Sequence, residues 1–156
     1  MATRNRIYID KKLVPLADRL VFRNIPGSES EQGVFRDTRE LIAFAATIGY
    51  KFSHKRTVHV NGREIKLSAV ERIQLGGIEL VEALAVAETG DIEILSKENE
   101  VRRAEILEKY ANGGLERIEA ISGDRTALEE IVNIIKAEYA IDDKQLEVVD
   151  LLSERL

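Results

Sequence analysis

The sequence predicts a mainly α, compact multi-helix domain with one small β-hairpin. Three observations carry this. Apolar residues recur at three- and four-residue spacing through most of the chain. Asp, Ser, Asn and Gly punctuate that pattern as helix starts and stops. Only one stretch, residues 56–67, reads with a period of two.

Length and composition agree with a single domain over residues 1–156. An apolar share of 44% can fill a core, and the absence of cysteine excludes disulfides and thiolate chemistry. The N-terminus has no apolar run of signal-peptide length, and residues 41–48 are too few to cross a bilayer. A cytoplasmic protein with no membrane partner is the expectation. Charge is divided unevenly. Residues 1–67 hold 13 Lys and Arg against 7 Asp and Glu, a net of +6; residues 68–156 hold 10 against 21, a net of −11. Either the two parts meet different partners, or a basic and an acidic face attract each other within the fold.

In order, Ile7-Tyr8-Ile9 is β-prone and a candidate third strand. Asp10 can cap a helix carrying Leu13, Leu16, Leu20 and Val21, with Pro15 confined to its first turn. Residues 24–34 hold Pro26, Gly27, Gly33 and two serines, and read as a flexible loop. Asp37 with Glu40 has capping-box spacing and opens a helix bearing Leu41, Phe44, Ala45 and Ile48, which Gly49 is expected to end. Residues 57–60 and 63–67 read as a hairpin around an Asn61-Gly62 type I′ turn. Ser68 and Glu71 form a second capping box.

Residues 77–90, GIELVEALAVAETG, are apolar over most of a helical circumference and predict a central helix packed on several sides, ended by Gly90. Asp91 caps a short turn. Ser96 opens a helix to Ala111, which Asn112-Gly113-Gly114 is expected to terminate before a short helix with Leu115, Ile118 and Ile121. Residues 124–156 predict acidic C-terminal helices. Asp124 is the cap, Leu128, Ile131, Val132, Ile135 and Tyr139 form one stripe, and Leu146, Val149, Leu152 and Leu156 form another. These stripes either complete the core or offer a groove to a partner.

The strongest candidate site is basic. Lys51, Lys55, Arg56, Arg63 and Lys66 lie within seventeen residues of Tyr50 and Phe52, opposed only by Glu64. Cations neutralise phosphates and exposed aromatics stack on bases, so this is a candidate nucleic-acid surface. The alternative is a solvated hairpin with Phe52 in the core. Helix followed by basic hairpin is also the order of winged DNA-binding domains, but no helix rich in Arg, Asn or Gln offers base readout. Glu88 with Asp91 could approach a divalent metal, yet helix end and helix cap explain both. His54 and His59 lack metal-ligand spacing and read as surface residues. No Ser/His/Asp arrangement or Gly-rich phosphate loop occurs, so no catalytic residue, cofactor or metal is expected.

The segments LIAFAATIGY (41–50), ALAVAETGDIEIL (83–95) and ILEKYANGGL (106–115) stand in order, with the basic loop after the first. Together they resemble the small bacterial family of DNA phosphorothioation (dnd) system-associated protein 4, over roughly residues 35–120. The resemblance implies an accessory place in a defence system that replaces a non-bridging phosphate oxygen of DNA with sulfur, while associated proteins restrict unmarked DNA. It implies protein partners from a modification or restriction complex, and it brings no catalytic residues. The expectation is therefore a non-catalytic accessory protein binding a protein partner, the DNA backbone, or both. Two alternatives stand beside it: a stand-alone DNA-binding regulator using the hairpin as a wing, and a metal-dependent nuclease using Asp91.

Overall fold

A computed structural model of the chain describes residues 5–21, 33–74, 76–121 and 127–139. Residues 24–32 of the expected loop over 24–34, the Asp124 cap, the Leu128 and Tyr139 side chains, and Leu146, Val149, Leu152 and Leu156 lie outside the described residues. The fold is mainly α, with six helices and one two-stranded antiparallel sheet among the described residues. Strand β1 (Arg6–Asp10) leads through a 3-10 turn into α1 (Val14–Leu20). Asp10 accepts the Lys12 N–H as the cap, and Pro15 sits in the first turn of α1, where a missing N–H costs nothing. Then come α2 (Thr38–Lys51), β2 (Asn61–Lys66), α3 (Leu67–Glu71), α4 (Gly77–Thr89), α5 (Glu100–Ile121) and α6 (Ala127–Tyr139).

The packing centre is the α2–α5 pair, not α4. Ala45, Ala46 and Gly49 of α2 and Ala111, Gly113 and Gly114 of α5 are all buried. A Cβ at Gly114 would come within 1.7 Å of the Ala45 carbonyl oxygen, and one at Gly49 within 2.1 Å of the Tyr110 carbonyl oxygen. Backbone therefore lies directly on backbone. This overturns two expected helix ends. Helix α2 runs on through Gly49 to Lys51, and the left-handed residue that follows is Ser53 (φ 50°). Helix α5 runs unbroken through Asn112-Gly113-Gly114 for 22 residues. Glycine weakens a helix by about 1 kcal/mol relative to alanine, and here close approach outweighs that preference. Helix α4 starts and ends as expected, with Gly90 left-handed (φ 67°) at its C-cap. It buries Val81, Leu84 and Ala85, but leaves Ile78, Ala83 and Ala87 exposed, so it flanks the core rather than filling it. Helix α3 begins at Leu67 with Lys66 in the capping position, two residues before the expected Ser68 cap.

The sheet is small and antiparallel, but β2 pairs with β1. Ile7 faces Ile65 and Ile9 faces Arg63. The candidate third strand is thus the pairing strand, and the local hairpin over 56–67 is corrected accordingly. Residues 57–60 stay out of the sheet because they are held elsewhere. The Arg56 N–H donates to the Lys109 carbonyl of α5, and the His59 N–H donates to Asp10. Gly62 lies inside β2 without the positive φ of a type I′ turn. It is needed for proximity, since a Cβ there would stand 2.6 Å from the Ile9 carbonyl oxygen.

The other edge of β1 is covered by side chains of α5. Glu108 accepts the Tyr8 N–H at 2.8 Å. Asn112, fully buried, accepts the Asp10 N–H and donates to the Tyr8 carbonyl, both at 2.8 Å. Two residues one helical turn apart thereby stand in for a neighbouring strand and satisfy an edge that would otherwise be open. Ile131 and Ile134 of α6 join the main core, so at least this part of the acidic C-terminal region packs inward. Among the described residues, no helix is long and apolar enough to cross a membrane.

Candidate functional site

The five predicted cations do not share one surface. Lys51 is exposed in the last turn of α2, where its charge suits the helix C-terminus. Lys55 binds Glu88 of α4 at 2.5 Å. Arg56 is largely buried, donating to Glu116 of α5 at 2.7 Å and lying 3.7 Å from Asp10. Arg63 is on the inner face of β2 and pairs with Asp18 of α1. Lys66, exposed, stands opposite Arg6 on the outer face. Strand alternation thus separates Arg63 from Lys66, and three of the five cations are engaged by carboxylates of other elements.

Those pairings are structural in character. Asp10 is 1% exposed. Burial pushes its carboxyl up, but the N–H groups of His59 and Lys12 and the Arg56 guanidinium outweigh that and hold it below its ordinary value. Glu116 is likewise held down, first by the hydrogen bond from Arg56. Around Lys55 a second group forms. Tyr110 donates its hydroxyl to Glu88, and the Lys55 ammonium lies 5.7 Å from the Tyr110 ring centre. Lys55 and then Tyr110 hold Glu88 below its usual range. Burial and then Glu88 push the Tyr110 phenol up to about 12.

The two aromatics divide. Phe52 packs on the core with the Arg117 guanidinium 4.0 Å above its ring, so that face is covered. Tyr50 is 45% exposed and leans edge-on against Tyr110. His54 lies 3.8 Å from Glu116, and His59 is exposed. Glu88 is engaged as described, and Asp91 caps the turn at Ile92–Leu95 by accepting the Glu93 N–H. Among the described residues, no group of three or more His, Asp and Glu is placed to hold a metal ion.

Three clefts bring together residues that sequence reasoning did not connect. Lys55 and Glu88 share one of about 340 Å³ with Arg102, Glu105 and Lys109 of α5, where two acids stand among three cations. A second, of about 290 Å³, is an apolar seam between α2 and α4 lined by Thr47, Tyr50, Leu80, Ala83, Leu84 and Ala87. The third, of about 380 Å³, is lined by Arg36, Arg39, Glu40, Arg72, Ile73 and Gln74, where the N-terminus of α2 meets the chain after α3. The seam had a legible signal, the i, i+3, i+4, i+7 spacing of Leu80, Ala83, Leu84 and Ala87. The arginine cleft had none, because Arg39 and Arg72 are separated by a loop, a strand and a short helix.

A family model described as DNA sulphur modification system-associated protein 4 matches residues 15–153. Comparison with curated proteins and with solved structures gives no match.

Proposed function

The chain belongs to the family of DNA sulphur modification system-associated protein 4, and we propose that it serves such a system as a non-catalytic accessory component that docks a protein partner. The observation that carries this reading is the apolar seam between α2 and α4. Leu80, Ala83, Leu84 and Ala87 present one helical stripe beside Thr47 and Tyr50 of α2. Small alanines at its open positions let another helix approach closely, and Tyr50 offers a half-exposed aromatic anchor. The titratable clusters fit this role, since Lys55, Glu88 and Tyr110, and Asp10, Arg56 and Glu116, are bound to one another. The wing reading has lost its local hairpin, because β2 is paired to the N-terminal strand. In this reading the partner is a protein of the same modification or restriction assembly, and the chain works beside it in the cytoplasm as part of bacterial defence.

The test is co-expression with the other proteins of its phosphorothioation gene cluster. The wild type should co-purify with one of them, and Ala83→Arg with Ala87→Arg should abolish this while the thermal midpoint stays within a few degrees. Failure of every component to co-purify, or retention by the folded variant, overturns the reading.

A further inference from the structure

We propose that the cleft lined by Arg36, Arg39 and Arg72 binds a phosphate group, borne by a nucleic-acid backbone or by a free oligophosphate. The proposal stands apart from partner docking, for it shares no residue with the seam between α2 and α4.

Arg36, Arg39 and Arg72 line one polar concavity together with a single acid, Glu40, and among the described residues neither the Arg36 nor the Arg72 side chain donates a hydrogen bond to a carboxylate. Arg36 has 90% of its side chain exposed, and its one ion pair among the described residues, with Glu40, is long at 3.9 Å. The other Glu40 oxygen is engaged by the Arg36 backbone N–H at 3.0 Å. Arg72 makes no ion pair among the described residues, and its backbone is fixed as the C-cap of α3.

Arg39 is the positioned member. Its Nε and Nη2 both donate to one oxygen of Asp37, at 3.0 and 2.6 Å. That bond holds the fork in place, raises the basicity of Arg39 and leaves three of its five N–H groups for another acceptor. Beside them Gln74 adds a neutral amide donor, and Ile73, partly buried against the core, anchors the segment that carries it.

A carboxylate has two oxygens and one charge, which a single guanidinium fork satisfies. A phosphate offers more oxygens, and planar forks engage them in pairs. The donor set therefore matches a phosphate better. This cleft also differs from the Lys55 region, where Lys55 is already paired with Glu88 and two glutamates share the lining.

The experiment titrates the full chain at low ionic strength with two probes, pyrophosphate by calorimetry and a labelled 20-base-pair duplex by fluorescence anisotropy. The wild type should bind at least one. Arg36→Gln with Arg72→Gln should weaken that binding at least tenfold with the fold intact by circular dichroism, and Arg72→Gln alone should weaken it in the same direction. Lys66→Gln, outside the cleft, should leave it unchanged. For the duplex, the slope of log affinity against log salt should become shallower by about one for each phosphate that the variant no longer neutralises. Binding of the duplex assigns the cleft to a nucleic-acid backbone, and binding of pyrophosphate alone assigns it to a free anion. Binding of neither probe, or equal binding by the folded double variant, overturns the proposal.

Discussion

At the scale of single residues, the polar interior sets how stability depends on pH. Tyr110 has its phenol pushed up to about 12 by burial and by Glu88. Below pH 10 the phenol is protonated in both folded and unfolded chains, and its contribution is fully present. Above pH 10 the unfolded chain ionises first, so stability falls by on the order of 2–3 kcal/mol until the folded phenol ionises near pH 12. Glu88, Glu116 and Asp10 are shifted the other way, below their ordinary values. Their contribution is present above those values, near 4.5 for Glu and 3.8 for Asp, and is lost as pH falls through the folded ones. Urea midpoints from pH 3 to 12 should trace both limbs, and Tyr110→Phe should flatten the alkaline limb and, by removing the hydrogen bond that Glu88 accepts, make the acid limb shallower, with the Lys55 contribution to Glu88 left in place. Arg56 shows why a charge read from sequence is not yet a binding residue. Its guanidinium stands between Asp10 and Glu116, so reversing its charge tests the fold before it tests any ligand.

At the scale of elements, close approach of α2 and α5 decides what glycine means. Gly113-Gly114 in sequence is a helix stop; in the fold it is the surface on which another backbone rests. Gly114→Ala should gain about 1 kcal/mol of helix propensity and lose more to the clash with Ala45, for a net destabilisation on the order of 2 kcal/mol or more. A thermal melt that rises instead would show the helices able to separate freely. The start and end of α4, the Asp10 and Asp37 caps and the placing of Pro15 were legible because each depends on neighbours a few residues away. The strand partner was not. Asn61-Gly62 carries a turn signal, but the alternative for residues 56–60, in which Arg56 bonds α5, His59 bonds Asp10 and Val60 accepts from Lys11, depends on residues far along the chain. The five cations were legible as a cluster in sequence, while their carboxylate partners Asp18, Glu88 and Glu116 sit on three other elements.

At the scale of the whole molecule, the uneven charge finds part of its explanation inside the fold. Lys55 to Glu88 and Arg56 to Glu116 each join the basic first part to the acidic second part. The acidic part also contributes to the core through Ile131 and Ile134, which are 6% and 1% exposed. A chain ending at residue 123 should therefore lose cooperativity, melt at a lower temperature and bind a hydrophobic dye. A shortened chain that kept the full-length protein's sharp melting transition would place the C-terminal stripe outside the core.

The covering of β1 by Glu108 and Asn112 has a consequence for synthesis on the ribosome. Strand β2 is available once residue 66 has emerged, but the groups that close the opposite edge come only with residues 108 and 112. At usual elongation rates that interval lasts roughly 2–9 s. Throughout it the nascent chain carries the N–H groups of Tyr8 and Asp10 and the carbonyl of Tyr8 without their final partners. Any alternative pairing along that edge must give way before Glu108 and Asn112 can bond it, so native closure of the edge cannot precede synthesis of residue 112.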